Sequence, residues 1–279
     1  MSTTLPAWSW QFEAEALKHF EALRLPTPIT EDWAWGGATG KGVKVAVVDS
    51  GVDANHPAVG EVNGGVIVEW EPDVEGEVKF TEEPHEDLFG HGTACAGIIR
   101  KVAPECEIYS VRVLGILLSS KALVFAGGLR WAIDNGMHVA NLSLSTNRKN
   151  YFGLFHEIVD DAYFHNMMLV SAINNEPEES YPSQYSTVFS VAAHMGQDPF
   201  AFDYNPAPPV EFGAPGINVD VAWKDGSTIK ATGNSFAAPH VAGLVTRILS
   251  KHPGLTPFQV KTILHSLASN RKAGFTEPA

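Results

Sequence analysis

Cysteine is scarce in this chain: Cys95 and Cys106 are the two in 279 residues. Two thiols make no disulfide framework for a domain of this size, and the simplest setting for them is reducing and cytoplasmic. No zinc-ligand spacing surrounds them, and His85 with His91 does not form the helical HExxH pattern. Positive charge is short too: 19 Lys and Arg stand against 32 Asp and Glu, a formal net charge of −13. Nucleic-acid binding depends on basic side chains meeting phosphates, so this balance argues against a nucleic-acid partner and against an anionic membrane surface. No run of 18 apolar residues occurs, and no membrane span is expected. The opening stretch MSTTLPAWSWQFEAEALKHFEALRLP lacks a basic n-region and an apolar h-region, so no signal peptide is expected. Internal repeats and low-complexity segments are missing as well.

What is present suits one large globular domain, since 44% of the residues are hydrophobic. The first 38 residues read as an extension in which QFEAEALKHFEALRL has helical spacing and LPTPIT breaks it. From Lys41 the pattern changes: KGVKVAVVDSG is a glycine turn, a buried β-branched run, then polar residues. Similar runs recur at 107–114, 138–145, 168–175 and 188–193, with helical patterns at 91–100, 121–136 and 152–166 between them. Two more helices follow Ser235, the second opening with Thr256 as N-cap and Pro257 at its first position. Strands alternating with helices imply a parallel sheet covered on both faces, with functional residues gathered beyond the carboxyl ends of its strands. Asp49, Ser143, Ser145 and Asn174 all stand at such ends.

Three segments carry the chemistry: VVDSGVD around Asp49, GHGTACAG around His91 and GNSFAAPH around Ser235. A serine hydroxyl is a weak nucleophile until an adjacent imidazole takes its proton. A buried carboxylate must in turn hold the imidazole in the right tautomer. Taken alone, Ser235 also reads as a helix cap among small neighbours, since serine oxygens satisfy orphan helix N–H groups.

The three segments resemble the signatures of the subtilisin-like serine peptidases, the subtilase family, in that family's Asp–His–Ser order. The resemblance runs from about Thr39 to Ala268. It implies an α/β fold: a three-layer sandwich with a mostly parallel central sheet and helices on both faces. It divides the chain into an N-terminal extension (1–38), a catalytic domain (39–270) and a C-terminal tail (271–279). Carried over, it makes Asp49 the residue that orients His91, His91 the general base and acid, and Ser235 the nucleophile. The family's oxyanion asparagine ends a segment like AAGN; the counterpart here is AINN, with Asn174 as the matching position. Ser143, Leu144, Ser145 and Ile173 would wall the S1 pocket. Gly115, Leu117 and Leu118, in VLGILLSSKA, would belong to the edge segment that pairs with peptide backbone, the two leucines being either apolar contacts for the peptide or buried core.

Departures from the family sharpen the expectations. Asn234 stands where Thr is frequent, and both types can donate a hydrogen bond to an oxyanion. Ser145, Thr146 and Ile173 replace glycines, which predicts a restricted S1 site suited to small P1 residues. The calcium loop that often follows the His-bearing helix is missing, so no cofactor or metal is expected. The acidic stretch 69–88 reads as a solvated loop, with a weak cation site as the alternative. Cys95 is expected to be buried and inert. The extension either docks on the outside or lies over the cleft. The function so implied is a serine endopeptidase that selectively processes a peptide or protein substrate. The alternatives are a transpeptidase or macrocyclase, and a non-catalytic peptide-binding homologue.

Overall fold

The computed structural model describes residues 6–20, 25–73 and 77–271. Residues 1–5 and 21–24 of the extension, 74–76 of the acidic stretch and 272–279 of the C-terminal tail lie outside the described residues. Two short helices, α1 (Ala14–Phe20) and α2 (Glu31–Trp35), precede the sheet.

Strand β1 (Lys44–Asp49) shows why that sheet is covered twice. Val45 and Val47 face one core, Ala46 and Val48 the other, and all four are fully buried, as a two-residue period demands. On one side of β1 lie β4 (Glu107–Arg112) and then β2 (Gly64–Trp70), both parallel to the neighbour they pair with, and antiparallel β3 (Val78–Thr81) at the edge. On the other side lie β5 (Val139–Leu142), β6 (Met168–Ala172), β7 (Phe189–His194) and β9 (Phe212–Pro215), all parallel. The two-residue β8 (Asp203–Tyr204) closes that edge in antiparallel pairing. Successive strands thus depart from β1 in both directions, and ligands bind at such switch points.

The first face carries α3 (His91–Val102), α6 (Asn234–Lys251) and α7 (Pro257–Leu267) over Val45, Val47, Ile108 and Phe189. The second carries α4 (Ala122–Asp134) and α5 (Phe152–Phe164), whose Phe125, Leu129 and Phe155 cover Val48, Val111 and Leu142. Each large side chain so buried contributes about 1.5–3 kcal/mol. Thr256 caps α7 in a reciprocal capping box with Gln259, and Pro257 is its first residue, as the sequence predicted. No helix among the described residues is long and apolar enough to cross a membrane.

Two features differ from the sequence reading. The acidic stretch is more than a loop: residues 69–70 and 78–81 belong to the β2–β3 hairpin, where Val66 and Val68 are buried and Val78 packs beside them. Polar alternation at a sheet edge hid this strand pair among the carboxylates. A second hairpin, β10 (Val219–Trp223) with β11 (Ser227–Ala231), lies over α3. Its turn contains Asp225 and Gly226, both at positive φ, and Asp-Gly is the signal that announces it.

The α2 part of the extension docks on the outside of the body. Trp33 of α2 stacks on His252 at 4.1 Å, and Lys251 Nζ donates to the carbonyls of Asp32 and Gly36. These contacts sit at the C-terminal end of α6, about 27 Å along the 18-residue helix from its start.

Candidate active site

The site begins at the N-terminus of α3. Asp87, four residues before His91, is buried, and its carboxylate accepts five hydrogen bonds: from Phe89 N–H (2.9 Å), Gly90 N–H (2.7 Å), Thr93 N–H (2.8 Å), Thr93 Oγ1 (2.6 Å) and Ser50 Oγ (2.7 Å). It thereby satisfies N–H groups that a helix start leaves orphaned and complements the positive end of the dipole. Gly90, at φ 116°, is required here, because a Cβ would strike the Trp223 indole at 2.6 Å.

Asp49 ends β1 and His91 opens α3. The His91 Nδ1–H donates to the Asp49 carboxylate at 2.8 and 2.9 Å, and Ser50 N–H donates to the same carboxylate at 2.8 Å. Burial of the ring works against its charged form. The Asp49 charge and hydrogen bond outweigh it, helped by Asp87, and raise the imidazole pKa above its ordinary 6.5. With Nδ1 committed to Asp49, Nε2 is the nitrogen left for proton transfer.

Ser235 lies in the first turn of α6, and it is no cap. The N-cap is Gly233, which offers no side-chain hydrogen bond, and the Ser235 hydroxyl makes no hydrogen bond to the backbone of the described residues. Pro239, four residues on, has no N–H to give the Ser235 carbonyl. That carbonyl is satisfied instead by Ser143 Oγ at 2.9 Å and by the Cys95 thiol at 3.6 Å. Ser143, steadied in turn by Asn141 Nδ2 at 3.0 Å, braces the Ser235 backbone.

Asn174 and Asn175 differ in what they can do. Asn174 Oδ1 folds back to accept Glu176 N–H at 3.1 Å in a local turn. Asn175 Oδ1 accepts the N–H of Asn234, the residue before Ser235, at 2.9 Å. Its Nδ2 and the Ser235 N–H have no hydrogen-bond partner among the described residues. The asparagine tied to the serine loop is therefore Asn175, where the sequence reading chose Asn174. Asn234 does not reach for an oxyanion either: both its amide donors are spent on the carbonyls of Ile173 and Asn174.

Residues 40–277 match the subtilase family. The chain is 33% identical to Subtilisin Savinase of Lederbergia lenta, over 84% of this chain and 86% of that one. It is equally identical to Subtilisin E of Bacillus subtilis strain 168, over 84% of this chain and 62% of that longer one. The chain belongs to the subtilase family. A solved relative, described as a cold adapted subtilisin-like serine proteinase, superposes with a TM-score of 0.69 at 28% identity, over 82% of this chain and 83% of that one. The expected three-layer fold with a mostly parallel sheet is that of the family, and this subtilase is a subtilisin-like serine peptidase.

One cleft of about 430 Å³ in this subtilase brings together His91, Ser143, Leu144, Ser145, Ile173, Asn174, Asn175 and Ser235. Asp49 lies fully buried behind His91. Phe89, Trp223 and Phe236 form an aromatic wall, with Phe236 5.3 Å from the His91 ring and Phe89 5.6 Å from Trp223. Leu117 is not part of it: the side chain is 80% exposed on a turn, and Leu118, at φ 50°, turns into the cleft in its place. Gly115 lies in an adjoining groove with Trp70 and Ser119. A larger cavity of about 520 Å³, among His85, Tyr109 and Trp131, holds none of Asp49, His91 or Ser235; chemistry rather than volume assigns the site.

Asp49, His91 and Cys95 form the one cluster with metal-ligand potential among the described residues, their donor atoms within 4.8 Å of one another. The Asp49 carboxylate and His91 Nδ1 are already bound to each other. Burial first, then the Asp49 charge, pushes the Cys95 thiol well above its usual range, so it stays protonated. Asp87 and Ser50 were missed in the sequence, although DLFGHGT places an acid just before a helix start, the pattern of a cap.

Proposed function

We propose that this subtilase hydrolyses peptide bonds through an acyl-enzyme on Ser235. The observation that carries the reading is the Asp49–His91 contact at 2.8 Å, sharing a cleft with Ser235. Ser235 Oγ attacks the scissile carbonyl carbon while its proton passes to His91 Nε2. The C–N bond breaks as His91 returns that proton to the leaving amine. Water, deprotonated by His91, then cleaves the ester and frees Ser235. Ser235 N–H and Asn175 Nδ2 receive the oxyanion, where the positive end of α6 adds to the stabilisation. Chemistry of this kind asks for no cofactor.

The substrate is an extended peptide segment. Ser145, Ile173 and Asn174 line the cleft with side chains where glycine would leave room, which supports small P1 residues and selective processing. A reducing, cytoplasmic setting suits two buried free thiols. Cell fractionation checks that placement, and recovery of the active enzyme outside the cell would refute it.

Fluorophosphonate labelling with intact-mass measurement tests the chemistry. A single adduct, absent from Ser235→Ala, is the expected result. No adduct on folded protein would make the molecule a non-catalytic peptide binder. Product masses from a model peptide separate hydrolysis, which adds water, from cyclisation, which does not. Efficient cleavage of casein after Phe or Tyr would remove the restricted-pocket idea.

A further inference from the structure

Asn234 sits where three segments meet, and none of its hydrogen bonds points into the cleft. Its N–H donates to Asn175 Oδ1 at 2.9 Å. Its Oδ1 accepts the Ala193 N–H of β7 at 2.8 Å. Its Nδ2 donates to the carbonyls of Ile173 at 3.2 Å and Asn174 at 3.0 Å. A flipped amide would set donor against donor and acceptor against acceptor, so the orientation is fixed by its partners.

The turn it grips has little else to hold it. The chain leaves the sheet at Ile173, whose N–H makes a last bond to Val191 O at 3.0 Å. Asn175 itself is exposed, and an exposed carboxamide free to rotate would present its N–H to the oxyanion only part of the time. The clamp acts at both ends of the problem. Two side-chain bonds to carbonyls fix the backbone that carries Asn175, and on that fixed backbone the main-chain N–H of residue 234, which the alanine variant keeps, takes Asn175 Oδ1 and leaves Nδ2 free. The bond to Ala193 ties the clamp to a core strand. Two donors and an acceptor at that reach are what a short carboxamide supplies; a threonine hydroxyl has a single proton and must leave one carbonyl unmet.

Resting on the catalytic reading above, we propose that Asn234 is a positioning residue that locks Asn175 in its oxyanion-binding orientation. Oxyanion donors act in the transition state rather than the ground state. Loss of the clamp therefore lowers kcat and leaves KM nearly unchanged. Because Asn234 works through Asn175, its removal costs little once Asn175 is gone.

The experiment is a double-mutant cycle on the full chain with fluorescein-labelled casein, active sites being counted by fluorophosphonate. Asn234→Ala is expected to lower kcat by about ten- to a hundredfold, with KM within about twofold of the parent. In the Asn175→Ala background the same change should cost less than about threefold. An equal fold-loss in both backgrounds, or a loss confined to KM, would overturn the clamp. So would an unchanged kcat. If the alanine variant does not fold, Asn234→Asp carries the comparison: it is isosteric, still accepts from Ala193 and lacks both donations. A parent protein that neither labels nor cleaves would fail the catalytic reading itself, a result separate from any pattern within the cycle.

Discussion

Helices α3 and α6 both begin at the cleft, and they begin differently. The start of α3 is closed: Asp87 takes three backbone N–H groups and two hydroxyls, and Ser50 Oγ takes the Gly92 N–H at 3.2 Å. The start of α6 is open: Gly233 caps nothing, and the Ser235 N–H stays unbonded among the described residues. In the proposed mechanism the difference follows the work of each residue. His91 must keep one ring position while protons come and go, so its helix is pinned. Ser235 must offer a free donor to a charge that exists only in passing, so its helix is left uncapped and braced from below through Ser143 and Cys95 instead.

The contrast can be broken from either side. On the pinned side, Asp49→Asn should lower kcat by about 10⁴-fold, since an amide favours the wrong imidazole tautomer. The pH profile gives the sign. His91 must be neutral to act as base, and its pKa is raised, so activity in the parent falls as pH drops through a value above 6.5. In Asp49→Asn, burial is no longer countered by the carboxylate, and the inflection should move down; an unmoved inflection would mean that His91 is not the titrating base. On the open side, Asn175→Ala should cost about 10²–10³-fold in kcat, the magnitude being one that subtilisin's own oxyanion asparagine gives. Asn174→Ala should stay within about threefold, and the reverse ranking would restore the sequence-based choice.

Asp87→Ala leaves several buried donors unpaired at once. Denaturant unfolding should show a loss of about 2–4 kcal/mol, combining a missing cap with unmet hydrogen bonds. Gly233→Asp tests the opposite idea by giving α6 the cap it lacks. Stability should rise by about a few tenths of a kcal/mol, while kcat falls roughly tenfold as a carboxylate competes for the N–H groups that serve the oxyanion and its Cβ lies 3.3 Å from Ser235 Oγ. A cap that stabilised without slowing the enzyme would show that the open helix start has no catalytic purpose.

Much of this was legible in the sequence because it is written locally. The β-branched runs, the Thr256–Pro257 helix start and the three motif segments each span fewer than ten neighbouring residues. What escaped depends on tertiary placement. Asn174 and Asn175 are chemically the same; AINN ends on Asn175, so the motif matched residue by residue already favours it, and the path of the chain brings that same residue to Asn234. Leu117 and Leu118 were both candidates in the sequence; which of them reaches the cleft was not legible, and Leu118, at positive φ, lines it while Leu117 is exposed. Asp87 was lost among the carboxylates of 69–88, whose abundance reads as solvation until one of them is found buried. The β2–β3 pair was hidden in the same way.

The two thiols have a practical consequence. Cys95 is wholly buried and Cys106 nearly so, at 0% and 3% exposure, and burial raises the pKa of both, that of Cys106 to about 11. At neutral pH the folded protein presents no thiolate to an alkylating reagent. A single cysteine introduced on the surface, for a dye or a spin label at the cleft rim, would be the one site that a maleimide sees, with no native residue replaced to clear the background.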